Sequence, residues 1–326
     1  MAVYTALGAE EMAEVIGCFD VGALISAKGI AEGVSNSNWL IETEDAAGNH
    51  ARFILTMYEA RTDVSDLPFF LGLLDHLAEH HCPVPRTIHD RQNQAFRMHG
   101  GKALALIEFL PGVSVSTPRK EQARAVGEAL AQVHLATADF RQNRENGLGP
   151  AAWHRLTQAC GIDGLASIDP RLGELVRSEL AEVDAKWPSN LPRGVIHADL
   201  FPDNVLMLGD KVTGLIDFYF ACTDILAYDV AVTHAAWCFS PDGCSFDPAR
   251  SQALLEGYES VRPLSAAERA SLPILARGAA MRFLATRAFD WLNTPANALV
   301  TRKDPMAFAR RLEFYADPAN AKVFAA

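Results

Sequence analysis

A chain of 326 residues exceeds the usual size of a single-core domain, so two lobes packed side by side are expected. Hydrophobic residues make up 49% and charged residues 21%, which excludes a disordered or fibrous chain. The formal net charge of −11 argues against broad binding to nucleic acid or to an anionic membrane surface. The six cysteines are scattered without a CxxC pair, which fits reduced thiols in a cytoplasmic protein. The N-terminal stretch has no basic segment and carries Glu10, Glu11 and Glu14 where an apolar signal core would run, so no secretion is expected. Apolar runs such as Lys102 to Pro111 fall short of the roughly 20 residues of a membrane span.

In chain order, Asn38 to Thr43 and Arg52 to Tyr58 are β-rich runs joined by the turn-like Asp45 to His50, the pattern of a hairpin. Asp66 to His81 follows as the one helix expected in the first hundred residues. It carries Leu67, Phe70, Leu71, Leu74 and Leu77 on a stripe and is stopped by Pro83 and Pro85. Gln94 to Met98 and Ala103 to Phe109 suggest a second hairpin around Gly100-Gly101. After Leu110-Pro111-Gly112 the pattern turns helical, over Pro118 to Phe140, Leu172 to Trp187, Pro248 to Tyr258 and Ala266 to Asn293. The fold expected is α+β, a small antiparallel-sheet lobe over 1–106, a hinge at 107–112 and a large helical lobe over 113–326.

The exception in the helical half is Gly194 to Phe220, where two strand-like runs flank a polar loop. It reads His197-Ala198-Asp199-Leu200-Phe201-Pro202-Asp203-Asn204, then Ile216-Asp217-Phe218. Phosphoryl transfer needs one carboxylate near the attacking hydroxyl and further oxygen ligands to hold magnesium on the phosphates. An Asp just after a buried strand, an Asn five residues later and a second Asp ending the next strand supply that set. The spacing matches the kinase catalytic loop and its metal-binding Asp.

These segments resemble the aminoglycoside phosphotransferase and choline kinase-like enzymes, whose fold is protein-kinase-like, through the His-x-Asp-x-x-x-x-Asn loop and the Ile-Asp-Phe that follows. The likeness runs through nearly the whole chain in lobe order. Gly33-Val34-Ser35-Asn36-Ser37-Asn38, Phe53 to Glu59, Leu67 to Leu74, Ile216 to Ala221 and Ala235 to Phe239 further resemble that family's homoserine kinase branch. The resemblance implies transfer of the γ-phosphoryl of ATP to L-homoserine, with Asp199 as base, His197 supporting the loop, and Asn204 and Asp217 on Mg2+. It implies a nucleotide-covering turn containing Gly33, Ser35 and Asn36, and a hinge at Glu108 to Leu110 whose backbone meets the adenine. Many relatives carry a cation on the third strand, where Thr56 stands here. Lys28 is the substitute on offer.

An amino-acid acceptor asks for a cation for its carboxylate and an anion for its ammonium. Arg282, Arg287 and Asp290 offer both signs, with Tyr219 and Asp224 as further acceptor contacts. Asp224 and Asp229 offer support to the loop or a contact for the substrate ammonium, and could equally cap the helix that starts near Leu226. Rival readings are a kinase for another amino alcohol, sugar or aminoglycoside, and a non-catalytic nucleotide-binding module. A third is a zinc hydrolase built on His76-Leu77-Ala78-Glu79-His80, which that helix's apolar stripe opposes. The protein is expected as a monomer or homodimer.

Overall fold

The structure is a computed structural model that describes residues 7–30, 36–59, 63–294 and 302–324. Gly33 and Ser35 lie outside the described residues. The chain divides into two compact units, Met1–Gly112 with Thr213–Tyr219, and Val113–Val212 with Phe220–Ala326.

The first unit is an antiparallel sheet with helices. It contains α1 (Ala9–Gly17), β1 (Ala23–Ile30), β2 (Ser37–Glu44), β3 (His50–Met57), α2 (Leu67–Glu79), β4 (Thr87–Ile88), β5 (Arg97–His99) and β6 (Lys102–Glu108). The sheet order is β1-β2-β3-β6-β4, with β5 also pairing to β6. Strand alternation separates the two faces: Trp39 and Ile41 of β2, Leu55 and Met57 of β3, and Leu104 and Leu106 of β6 form one cluster. Helix α1 covers it with Met12, Val15 and Ile16. This corrects the expectation of a single helix in this region. Glu10 and Glu11, which hid the helix by breaking its apolar run, occupy its first turn, where acidic charge opposes the helix dipole favourably.

The opposite face carries Asn38, Leu40, Ile54 and Thr56. Register places Lys28 opposite Leu40 and Asn38 opposite Thr56, so Lys28 shares that face. Helix α2 begins after a single 3-10 turn at Val64–Asp66 and ends where His81 takes a φ of 60°. It buries Leu73 as well as most of the expected stripe, whereas Leu74 is only half-buried.

The second unit is mainly helical: α3 (Lys120–Ala136), α4 (Pro150–Ile168), α5 (Leu172–Lys186), α6 (Leu226–Trp237), α7 (Pro248–Val261), α8 (Ala266–Asn293) and α9 (Met306–Ala316). Among these helices run β7 (Arg193–Ile196) and β10 (Cys222–Ile225), paired antiparallel, and β8 (Val205–Leu208), which turns at Gly209 into β9 (Lys211–Leu215), whose residues from Thr213 on belong to the first unit. Every residue of α6 is buried. Helices α4, α5, α6 and α9 all pack on α8, whose start is a capping box between Ser265 and Glu268. Helices α3 and α7 approach at two glycines: a Cβ on Gly127 would fall 2.2 Å from the Leu254 carbonyl, and one on Gly257 would fall 2.1 Å from that of Arg124. No helix among the described residues is long and apolar enough to cross a membrane.

Candidate active site

The loop after β7 is shaped by one buried carboxylate. Asp229, fully buried on α6, accepts the amide of His197 at 2.7 Å and the amide of Ala198 at 2.8 Å. His134 Nε2 of α3 stands 3.2 Å from the same carboxylate, and its Nδ1 lies 2.7 Å from the Tyr258 hydroxyl. Burial opposes ionisation of Asp229, but the bonds from His134 and His197 outweigh it and hold the carboxyl below its usual range. Ala198 takes a φ of 64°, a conformation costly for a residue with a Cβ. Its carbonyl accepts from the Arg282 guanidinium, while Trp237 Nε1 donates to the Leu200 carbonyl at 2.9 Å. Both sides of the corner are therefore tied to buried helices.

That corner presents Asp199, which is half-buried. Burial pushes its pKa up, against the pull of Arg282, His197 and Lys303. The Asn204 amide donates to the Asp199 carbonyl at 2.8 Å and approaches its carboxylate at 3.3 Å. Asn204 is buried within the 3-10 turn Pro202–Asn204. With its Nδ2 so used, its Oδ1 remains as a hard oxygen donor of the kind magnesium takes. His197 is buried, and its Nδ1 accepts the Asp199 amide at 3.2 Å. A half-buried carboxylate fixed in direction can accept a proton from an alcohol.

In the first unit, Asp217 is an exposed corner residue with a φ of 65°. Two residues before it, the Leu215 amide donates to the Pro83 carbonyl at 2.7 Å. Two residues after it, Tyr219 packs edge-on against Tyr58 at 5.5 Å and Phe70 at 5.8 Å. Burial raises the Tyr219 hydroxyl well above its usual range, the state of an aromatic packing residue. Thr56 donates to Asn38 at 2.8 Å, and Asn36 accepts the Glu59 amide at 3.3 Å. The Glu108 amide donates to the Arg86 carbonyl at 2.9 Å, with Leu110 just beyond the end of β6.

Two acceptor expectations meet a different placement. Asp224 pairs with Arg193 at 3.0 Å and with Asn146 at 2.7 Å, opposite Gly194 at the start of β7. Asp199 follows the other end of that strand, roughly 10–15 Å along the chain. Arg282 is buried, and its Nη1 donates to the Ala198 carbonyl, so it holds the loop. Asp290 is exposed near the end of α8. On α2, His80 Nδ1 lies 2.8 Å from the His76 carbonyl, a contact within one helix turn. Sequence reasoning passed over Lys303, whose charge reaches Asp199 from beyond α8. No local pattern marks it.

The phosphotransferase enzyme family profile matches residues 26–264. The chain is 50% identical to a homoserine kinase of Xanthobacter autotrophicus over 97% of this chain and 96% of that one. It is likewise 50% identical to a homoserine kinase of Gluconacetobacter diazotrophicus over 98% of each. Among solved structures, an amicoumacin kinase in complex with AMP-PNP and Ca2+ gives a TM-score of 0.70 at 16% identity, covering 95% of this chain and 93% of that one. A spectinomycin phosphotransferase in complex with ADP gives 0.70 at 13% identity, over 98% and 99%. Both share the fold expected here, an antiparallel sheet unit and a helical unit.

Proposed function

The chain belongs to the phosphotransferase enzyme family, and from that premise we propose that it is a homoserine kinase, moving the γ-phosphoryl of ATP to the hydroxyl of L-homoserine to give O-phospho-L-homoserine. The observation that carries the reading is identity near one half with homoserine kinases along nearly the full length of both chains. The geometry of the Asp199 loop agrees with it. O-phospho-L-homoserine is an intermediate of threonine biosynthesis.

Asp199 orients the acceptor hydroxyl and takes its proton as the bond to phosphorus forms, which requires the carboxylate to be ionised. Asp229 and Arg282 keep that carboxylate aimed before substrate arrives, so little reorganisation remains for the reactive step. The oxygen donors for Mg2+ are Asn204 Oδ1 and the Asp217 carboxylate, and the ion would neutralise charge on the transferring phosphoryl. Residues 1–106 cover the nucleotide, with Gly33, Ser35 and Asn36 over the phosphates. Glu108 and Leu110 meet the adenine from a hinge at 107–112, and residues 113–326 carry the base and the acceptor. Lys28, which shares a sheet face with Thr56, is the candidate cation for the α and β phosphates.

The test is ADP release with magnesium-ATP against L-homoserine, L-serine, L-threonine, choline, methylthioribose and kanamycin, beside an Asp199→Asn control. Turnover of homoserine above the rest, lost in the control, is the expected result. Preference for another acceptor would overturn the substrate, and silence with all six would overturn the activity.

A further inference from the structure

Four cations sit over an aromatic floor beside the base, within the second unit; Arg311, over Phe308 at 4.5 Å, donates to the Ala235, Ala307 and Ser240 carbonyls, which leaves Arg282, Arg287 and Lys303. Phe201, Phe283 and Phe308 pack on one another with ring centroids 4.8–6.0 Å apart. Arg282 lies over Phe283 at 4.6 Å, Arg287 over Phe308 at 4.5 Å and Lys303 over Phe201 at 5.9 Å. All three face acidic neighbours from different elements: Asp199 and Asp203 from the loop after β7, and Asp304 from the segment before α9.

Their commitments differ. Arg282 is buried and holds the Ala198 carbonyl. Lys303 is largely exposed and stands 3.9 Å from Asp203. Arg287 is half-buried over Phe308, and among the described residues its hydrogen bond runs from Nη1 to the Asp304 carbonyl at 3.2 Å. Burial lowers its pKa to about 10, with Asp199, Asp304 and Asp203 pulling the other way, so it stays charged near neutral pH. It forms no ion pair with Asp199. That separation matters, because in homoserine the hydroxyl and the carboxylate are held apart by three carbons. The cation that receives the carboxylate must stand off from the base by about the length of the substrate.

Resting on the homoserine kinase reading, we propose that Arg287 binds the α-carboxylate of the acceptor and thereby selects an amino acid over an amino alcohol. A guanidinium carries its N–H groups as a planar fork, the geometry that pairs with a carboxylate. It replaces Arg282 in the role that residue type suggested, and it fixes one end of the substrate while Asp199 takes the other.

The experiment compares kcat/KM for L-homoserine and for 3-aminopropan-1-ol, which is homoserine without its carboxylate, in wild type, Arg287→Lys and Arg287→Met. Melting temperature serves as the folding control. Wild type should favour homoserine. Arg287→Met should cut that preference on the order of a hundredfold, mainly through KM for homoserine, with Arg287→Lys between the two. Should Arg287→Met not fold, Arg287→Gln takes its place in the same comparison. A wild type indifferent to the carboxylate overturns the homoserine reading and this inference with it. A selective wild type whose preference survives the substitution, or a variant that loses both acceptors in equal proportion, overturns the role of Arg287 alone.

Discussion

Ala198 and Asp217 both place a non-glycine residue at positive φ, 64° and 65°, yet the two corners are held by different means. At Ala198 two amides end on the buried Asp229, the carbonyl ends on Arg282, and the residue itself is 2% exposed. At Asp217 the side chain is exposed, and the neighbouring anchors are the Leu215 amide on Pro83 and the packed ring of Tyr219. A positive φ on a residue with a Cβ costs on the order of 1 kcal/mol or more, so it persists only where surroundings over-determine it. The first corner suits a base whose direction must not vary. The second leaves its side chain exposed.

The largest effect expected on this contrast is in rate. Asp199→Asn should lower kcat by at least about a thousandfold while shifting the melting temperature little, because the corner that carries it is held by other residues. A melting temperature that falls sharply would mean the base also holds its own loop. Next is the anchor: Asp229→Ala strands two amides and His134 in a buried site and should remove roughly 3–5 kcal/mol of unfolding free energy in urea titration. A loss below about 1 kcal/mol would show the corner to be supported from elsewhere.

Acid titration sharpens the same point, because α6 also carries His234. Burial lowers its pKa from 6.5 to about 3, with Ser251 Oγ at 2.8 Å and the Tyr315 hydroxyl at 2.7 Å from its ring nitrogens. The unfolded chain then binds that proton more readily. This contribution to stability is complete above pH 6.5 and is lost as the pH falls toward 3. Between pH 7 and pH 5 the loss should be about 2 kcal/mol, and His234→Gln should flatten that slope. A slope left intact would assign it to other groups. The smallest effect is expected at the exposed corner, where Asp217→Gly should change stability by less than about 1 kcal/mol while abolishing the thermal shift produced by magnesium-ATP.

Much of this arrangement was legible in the sequence where its signal is local. The expected range of α8 matches the structure because apolar periodicity and the Ser265 to Glu268 cap agree. The paired loops around Asp199 and Asp217 stood out because their spacing is a property of consecutive residues. Helix α1 was hidden by acidic residues that belong on its outer face, and α4 by Gly161, whose φ of 68° breaks the helical register midway. Strand β1 lacks a buried stripe altogether. The loop-holding bond of Arg282 was hidden for a different reason. Its partner lies 84 residues away, so residue type suggested a ligand for a carboxylate where the fold needed a donor for a backbone carbonyl. Asp229 was read as loop support or helix cap with nothing to choose between them. Only packing could decide, since His134 reaches it across 95 residues.

The chain of polar contacts behind the corner reaches further than the loop. From Asp229 it passes to His134, then to the Tyr258 hydroxyl, which accepts from Arg262 at 3.0 Å, and Arg262 pairs with Glu268 at 2.7 Å. Helices α3, α6, α7 and α8 each contribute a member, so the His197 and Ala198 amides cannot open singly without disturbing four helices. In exchange with deuterated water, these two loop amides should behave like core amides, exchanging only as fast as the helical unit unfolds as a whole.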